Sequence, residues 1–322
     1  MRTSLFFLPL VLLGCPTDGD SSDKSDTDSL LDDSGDTSDT AMNELTGITW
    51  DFADPTISTR GPLSVVVTAT YDDGSTADVS AAAAWSSSDP NVAKVYVAGQ
   101  VQPINAGATT LGASFGGLDL SGTLTVTVVA ATNADLVFNE VLADGSVEGD
   151  PNGDGAAEPT EDEFVEIVNV SGVTVDLSGC VVVEGDLSTD EPRHTFAQGT
   201  LLHAGEAVVL FGGGDVSSLS AANVTFLVVA NLDVGLKHGL ALNNEGDKVE
   251  LRDPSGGVLT TFTSGSGGDI DAIQGASMVR SPDVTGTSWT HHTYATGSAG
   301  DYSPGTYVDG SAFPGIDGFY TP

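Results

Sequence analysis

The chain has 322 residues, room for two ordinary domains, and its 39% hydrophobic content is enough to build cores. Forty-six Asp and Glu face nine Lys and Arg, a formal net charge of −37. A surface this acidic repels nucleic acid and anionic lipid, and it suits cationic partners, divalent ions or a salty medium. Forty glycines, abundant Val and Thr and no long helical periodicity favour many short strands joined by tight turns.

The chain opens with Met1-Arg2-Thr3 and an apolar run, Leu5 to Leu13. That run is too short to span a bilayer, which needs about 20 apolar residues, but it has the length and flanks of a signal-peptide core. Leu12-Leu13-Gly14-Cys15 resembles the lipobox of bacterial lipoproteins. The resemblance implies a signal peptide over 1–14, cleavage before Cys15 and acylation of its thiol and new amino group. Two or more acyl chains anchor stably. Pro16, in place of Asp, leans towards the outer membrane by the sorting rule of enteric lipoproteins. With Cys15 lipidated, Cys180 has no partner and a disulfide-stapled fold is excluded. Cys180 begins the apolar run Cys-Val-Val-Val and reads as a small buried hydrophobe.

From Cys15 to about residue 45 the expectation is a disordered tether. Asp18, Asp20, Asp23, Asp26, Asp28, Asp32, Asp33, Asp36 and Asp39 face one cation, Lys24. Such a stretch buries too little to offset the entropy of ordering it, and its charges extend it.

Residues 46–129 read as short strands. Leu63 to Tyr71 is β-branched and apolar, Asp72-Asp73-Gly74-Ser75 is a turn signal, and Leu120 to Val128 alternates Thr with apolar residues. The segments VTATYDDGSTADVS, WSSSDPNVAKV and GQVQPINAGATTLGAS resemble the group 2 bacterial Ig-like domain. That implies a β-sandwich used as a surface spacer or binding unit, with Trp85 as its core tryptophan. Gly112-Ala113-Ser114-Phe115-Gly116 matches the serine-hydrolase pattern G-x-S-x-G. That motif needs a strand–turn–helix elbow with His and Asp partners, and this segment has no His and strands on both sides.

Residues 134 to about 265 read as a second strand-rich block followed by a tail, so that 131–322 is expected to be one domain with a C-terminal extension. Asn139-Glu140-Val141, Glu163-Phe164-Val165-Glu166, Asn169, Leu177-Ser178-Gly179, Gly246-Asp247 and the Arg280 tail resemble the lamin-tail domain in its bacterial form, an Ig-like sandwich. Cys180 stands where many relatives place Trp. The fold expected is all-β: two Ig-like sandwiches in series after the leader and acidic linker.

Between the first two strands of this block, Asp150-Pro-Asn152-Gly-Asp154-Gly155 runs on to Glu161 and matches D-x-[DN]-x-[DN]-G-x5-E. Calcium takes six to eight oxygen ligands. The pattern offers the side chains of Asp150, Asn152 and Asp154, the Ala156 carbonyl and both Glu161 oxygens, with Gly155 turning the chain. Glu148, Asp150, Asp154, Glu158, Glu161, Asp162 and Glu163 crowd together with no basic residue onward before Arg193, a cluster that favours a cation. The five histidines show no zinc spacing, and no P-loop or dinucleotide motif is present.

These readings point to a non-enzymatic, surface-anchored lipoprotein. It would be a calcium-stiffened module for adhesion, scaffolding or binding of an envelope protein or glycan, with the membrane reached through its acyl chains and no nucleic-acid partner. The alternatives are an accessory subunit of a secreted nuclease or phosphoesterase, and a purely structural spacer.

Overall fold

Alternating burial builds the first half. In the strand Leu118–Thr127, Leu124 and Val126 are buried while Thr123 and Thr127 face out. A computed structural model describes residues 43–143, 149–186, 189–230, 233–234, 237–271 and 275–319. The leader, Cys15 and the acidic stretch to residue 42 lie outside the described residues. Asn43 and Glu44 already bond Asp73 and Asp72, and the first strand starts at Leu45, so the linker ends slightly earlier than expected.

A four-stranded sheet runs Thr56–Ser58, Leu118–Thr127, Gly107–Phe115, Ala84–Ser87. Two three-stranded sheets accompany it, one of Leu45–Trp50, Val67–Tyr71 and Thr76–Asp78, the other of Leu63–Ser64, Gln100–Pro103 and Ala93–Val95. Val65, Leu111, Leu124 and Val126 fill one core cluster, and Val67, Ala69 and Ala113 another. Trp85 is half-buried against both and donates Nε1 to the Ser80 carbonyl (2.9 Å). Gly99, at φ 76°, leaves that ring its space: a Cβ there would fall 2.2 Å from the Val65 carbonyl and 2.8 Å from Trp85.

Leu63 to Tyr71, read as one strand, is two. The chain breaks at Val65 and Val66, whose N–H groups go to the Gly99 carbonyl (3.0 Å) and Asp51 Oδ1 (2.8 Å). These bonds hand the chain from one sheet to another, and Val66 is exposed at the switch.

The second half pairs a six-stranded sheet with a four-stranded one. The first runs Val224–Val228, Ala207–Phe211, Phe164–Asn169, Leu136–Leu142, Met278–Ser281, Ser288–His291. The second runs Thr189–Thr195, Val181–Asp186, Lys248–Arg252, Val258–Thr263. Phe138, Ile167, Val182, Cys180, Leu210, Val249, Phe262 and Met278 lie in the core of this half. Every residue of Phe164–Asn169 is buried. Its other side is covered by Val216, Leu219 and Tyr302 and by the segment around Tyr307 and Phe313. The fold is all-β, with Gly315–Phe319 the one α-helix among the described residues.

Val129–Ala130 pairs with Val175–Asp176, so the second set of sheets begins at 129 rather than 131. At the junction Thr59 Oγ1 donates to the Thr174 carbonyl (2.8 Å), and the Arg60 guanidinium grips both oxygens of Asp135. The two halves form one compact unit.

Candidate functional site

The acidic loop is ordered by its own backbone. Asp150 accepts N–H groups from Gly153 (2.7 Å), Asp154 (3.1 Å) and Gly155 (2.6 Å), Asn152 Oδ1 takes the Asp154 N–H (3.0 Å), and Asp154 Oδ1 takes that of Ala156 (2.8 Å). Short polar side chains bonding the backbone a few residues on define a turn of this kind. Gly153 and Gly155 hold φ 75° and 93°. Asp162, fully buried, closes the far end by accepting from Glu158 N (2.8 Å) and Asn152 N (3.4 Å).

The strand Ala207–Phe211 runs on into Gly212-Gly213-Gly214, and the loop's side chains pack on this glycine turn. A Cβ on Gly214 would lie 2.4 Å from Asn152 Nδ2 and 2.6 Å from Asp154 Oδ2, and one on Gly213 would lie 2.7 Å from Glu161 Cγ. Asn152, Asp154 and Glu161 therefore converge on one bare stretch of backbone. Asp150 is turned into the loop's own N–H groups, so the expected set does not all face one side. Among the described residues no three Asp, Glu, His or Cys side chains are grouped as a metal site. An ion here would draw on Asn152 and carbonyl oxygens as well as carboxylates, which is the hard-oxygen set calcium prefers.

Burial raises the Asp162 carboxyl above its usual range, and the nearby Asp150 and Asp154 charges add to this. Burial pushes Glu163 up to about 9 although it accepts the Leu242 N–H (3.1 Å). The crowd is not wholly without a counter-charge, since the buried Arg193, which pairs with Glu184 at 3.1 Å, also draws on Glu163. Distance in sequence hid that cation.

A second polar constellation lies under the C-terminal segment. Glu140 and Glu166 are direct cross-strand partners and both fully buried. Glu140 accepts from Ser277 Oγ (2.5 Å), Ser303 N (2.8 Å) and Ser303 Oγ (2.8 Å). Glu166 accepts from Asn139 Nδ2 (2.9 Å) and Gly305 N (2.8 Å). Asn139 also bonds Asp283 and takes the Val284 N–H, while Asp283 takes that of Val308. The buried His292 ring reaches Ser303 Oγ (2.9 Å). Burial raises both glutamates, and the Glu140 charge lifts Glu166 further. The motif residues Asn139, Glu140 and Glu166 thus tie residues 277–308 to the sheet.

Other motif residues hold backbone too. Asn169 Nδ2 bridges the Val173 and Leu202 carbonyls, and Asp247 Oδ2 takes the Asn243 N–H. Ser114 sits within the strand Gly107–Phe115, opposite Asp119, and not at an elbow.

The residues that anchor this network fall largely in one segment. Residues 129–266 match the family model described as Lamin Tail Domain. The lamin-tail match covers most of the second half and stops before Ser277, Arg280, Asp283, His292 and Ser303. Ice-binding protein 1 of Shewanella frigidimarina is 27% identical over 248 residues, which is 75% of this chain and 26% of that protein. The chain therefore spans about a quarter of that relative's length. A DUF4876 family protein from Bacteroides thetaiotaomicron aligns over 68% of this chain and 74% of its own, at 12% identity and a TM-score of 0.32. Domains 5-6 of the S-layer protein SbsC align over 72% of this chain and 100% of their own, at 12% identity and a TM-score of 0.24.

Proposed function

We propose that this protein is a lipid-anchored, non-enzymatic module of the bacterial cell surface, held to the membrane through Cys15 and stiffened by calcium at the loop from Asp150 to Glu161. Its partner would be a protein or glycan of the envelope. The observation that supports this reading is the loop itself, with Asn152, Asp154 and Glu161 gathered over Gly213 and Gly214 in an otherwise all-β scaffold. Asp150 would orient the turn, and the Ala156 carbonyl would complete the shell. The buried acids elsewhere are occupied in holding backbone, which fits a binding or structural role better than catalysis.

A cation that binds only the folded state raises stability by RT ln(1 + [Ca]/Kd), about 2.7 kcal/mol at one hundred times Kd. Full-chain protein should melt higher in calcium than in chelator, and magnesium should do less because it keeps its waters. Asp154→Ala with Glu161→Ala should remove the response. Identical melts of the wild-type chain in calcium and chelator would sink the calcium reading. Anchoring is tested separately: Cys15→Ser should stay uncleaved or leave the detergent phase, and continued palmitate labelling would overturn it.

A further inference from the structure

A groove of about 460 Å³ lies between the six-stranded sheet and the C-terminal segment. Its walls are mainly apolar: Val137, Val168 and Val170 from two paired strands and the loop after them, Tyr307 and Phe313 from across the gap. The volume falls in the range of small-molecule sites, which combine apolar walls with a few placed polar groups. Here the placed charge is Arg280.

Arg280 is fixed and half-buried. Its Nε donates to the Phe138 carbonyl (2.5 Å), one terminal nitrogen donates to the Gly286 carbonyl (2.7 Å), and its Cζ lies 5.3 Å from the centre of the Trp289 ring. These bonds use two of the five N–H donors of a guanidinium. Arg60, Lys94, Arg193, Lys248 and Arg252 each pair with a carboxylate, whereas among the described residues Arg280 has no ion-pair partner. That is unexpected in a chain with 46 acidic residues. The one carboxylate whose charge acts on Arg280, Asp269, makes no ion pair with it and accepts from Thr263 N (3.0 Å) and Thr263 Oγ1 (2.8 Å). Burial lowers the proton affinity of Arg280, as it does for a cation short of a counter-ion.

A planar guanidinium with free donors is matched by a carboxylate, which it can hold through two parallel bonds. We propose that this groove binds an aliphatic carboxylic acid of the fatty-acid type, its carboxylate on Arg280 and its chain along Val137, Val168 and Phe313. The site is separate from the acidic loop and does not depend on calcium.

The test is calorimetric titration of the full chain with octanoate and, as its neutral counterpart, octanol. A hydrogen-bonded charge is worth about 1.5–3 kcal/mol, so octanoate should bind roughly 10- to 100-fold more tightly than octanol. Arg280→Gln should erase that preference. Because Arg280 also holds backbone, a second variant is needed: Thr287→Trp changes an exposed rim residue and should block both probes while the melting curve stays wild-type. Equal affinity for the two probes, no heat with octanoate at millimolar concentration, or undiminished octanoate binding to Thr287→Trp would each overturn the proposal.

Discussion

Glu140 and Glu166 face each other on adjacent antiparallel strands, where two like charges are costly. Burial raises both carboxyls above the ordinary value, and the Glu140 charge raises Glu166 further. The folded state therefore binds more protons than the unfolded chain once the pH exceeds the unfolded glutamate value of about 4.3. Stability from this pair is full below that value and is lost as the pH rises through the folded ones. Exposed carboxylates have already titrated by about pH 6. The melting temperature should then fall as the pH rises above about 6, and Glu166→Gln should make the fall shallower. An unchanged slope in the variant would show that the pair does not carry it. Asp135 has the opposite sign. Burial alone would raise it, but bonds from Arg60 and Thr132 outweigh that and hold it below the usual range. Its contribution is present above the unfolded value of about 3.9 and is lost as the pH falls through the folded one. Asp135→Asn should cost about 1.5–3 kcal/mol at neutral pH, read by urea unfolding. The sequence motifs marked Asn139, Glu140 and Glu166 as distinctive but not as a proton-holding group. Their partners Asp283 and Ser303 lie 144 and 163 residues away, beyond any local pattern.

At the scale of elements, the loop from Asp150 to Glu161 was legible because Asp, Asn and Gly at alternate positions bond their own backbone. The wall it packs on was not legible, since Gly212-Gly213-Gly214 reads only as a turn. The two ends of that contact separate cleanly by mutation. Gly155→Ala meets open space and bears only the strain of φ 93°, about 1 kcal/mol. Gly214→Ala combines φ 76° with contacts under 3 Å to Asn152 and Asp154, and should cost about 2–3 kcal/mol. Chemical denaturation of both variants checks the ranking, and a larger cost at Gly155 would contradict the packing described. The split of Leu63 to Tyr71 into two strands had no cue in the alternation of residues. It depends on the Gly99 carbonyl and Asp51, which only the folded chain brings alongside.

For the whole molecule, the all-β class followed from composition and turn spacing, and the lamin-tail resemblance from motifs that, apart from Arg280, lie inside 129–266. The coupling of the two halves did not, because Arg60 and Asp135 are an ordinary surface pair until the strands around them form. The same holds for the last third of the second half. Ser277, Ser303, Gly305 and Val308 supply the donors that Glu140, Glu166 and Asp283 require. A fragment ending at residue 266 would leave Glu140 without its Ser277 and Ser303 donors and Glu166 with Asn139 alone, or would open the sheet to hydrate them. Such a fragment should lose cooperative melting by calorimetry, whereas the full chain should keep it.

That dependence separates the stretch that sequence similarity picks out from the stretch that packs as one. The stretch that matches the lamin-tail model ends at 266, but the hydrogen bonds that satisfy its buried acids run on to Val308. Any recombination, natural or engineered, that joined this module at its recognisable edge would hand its new host a sheet with two stranded acids. Only exchanges that carry the tail along would give a working cassette.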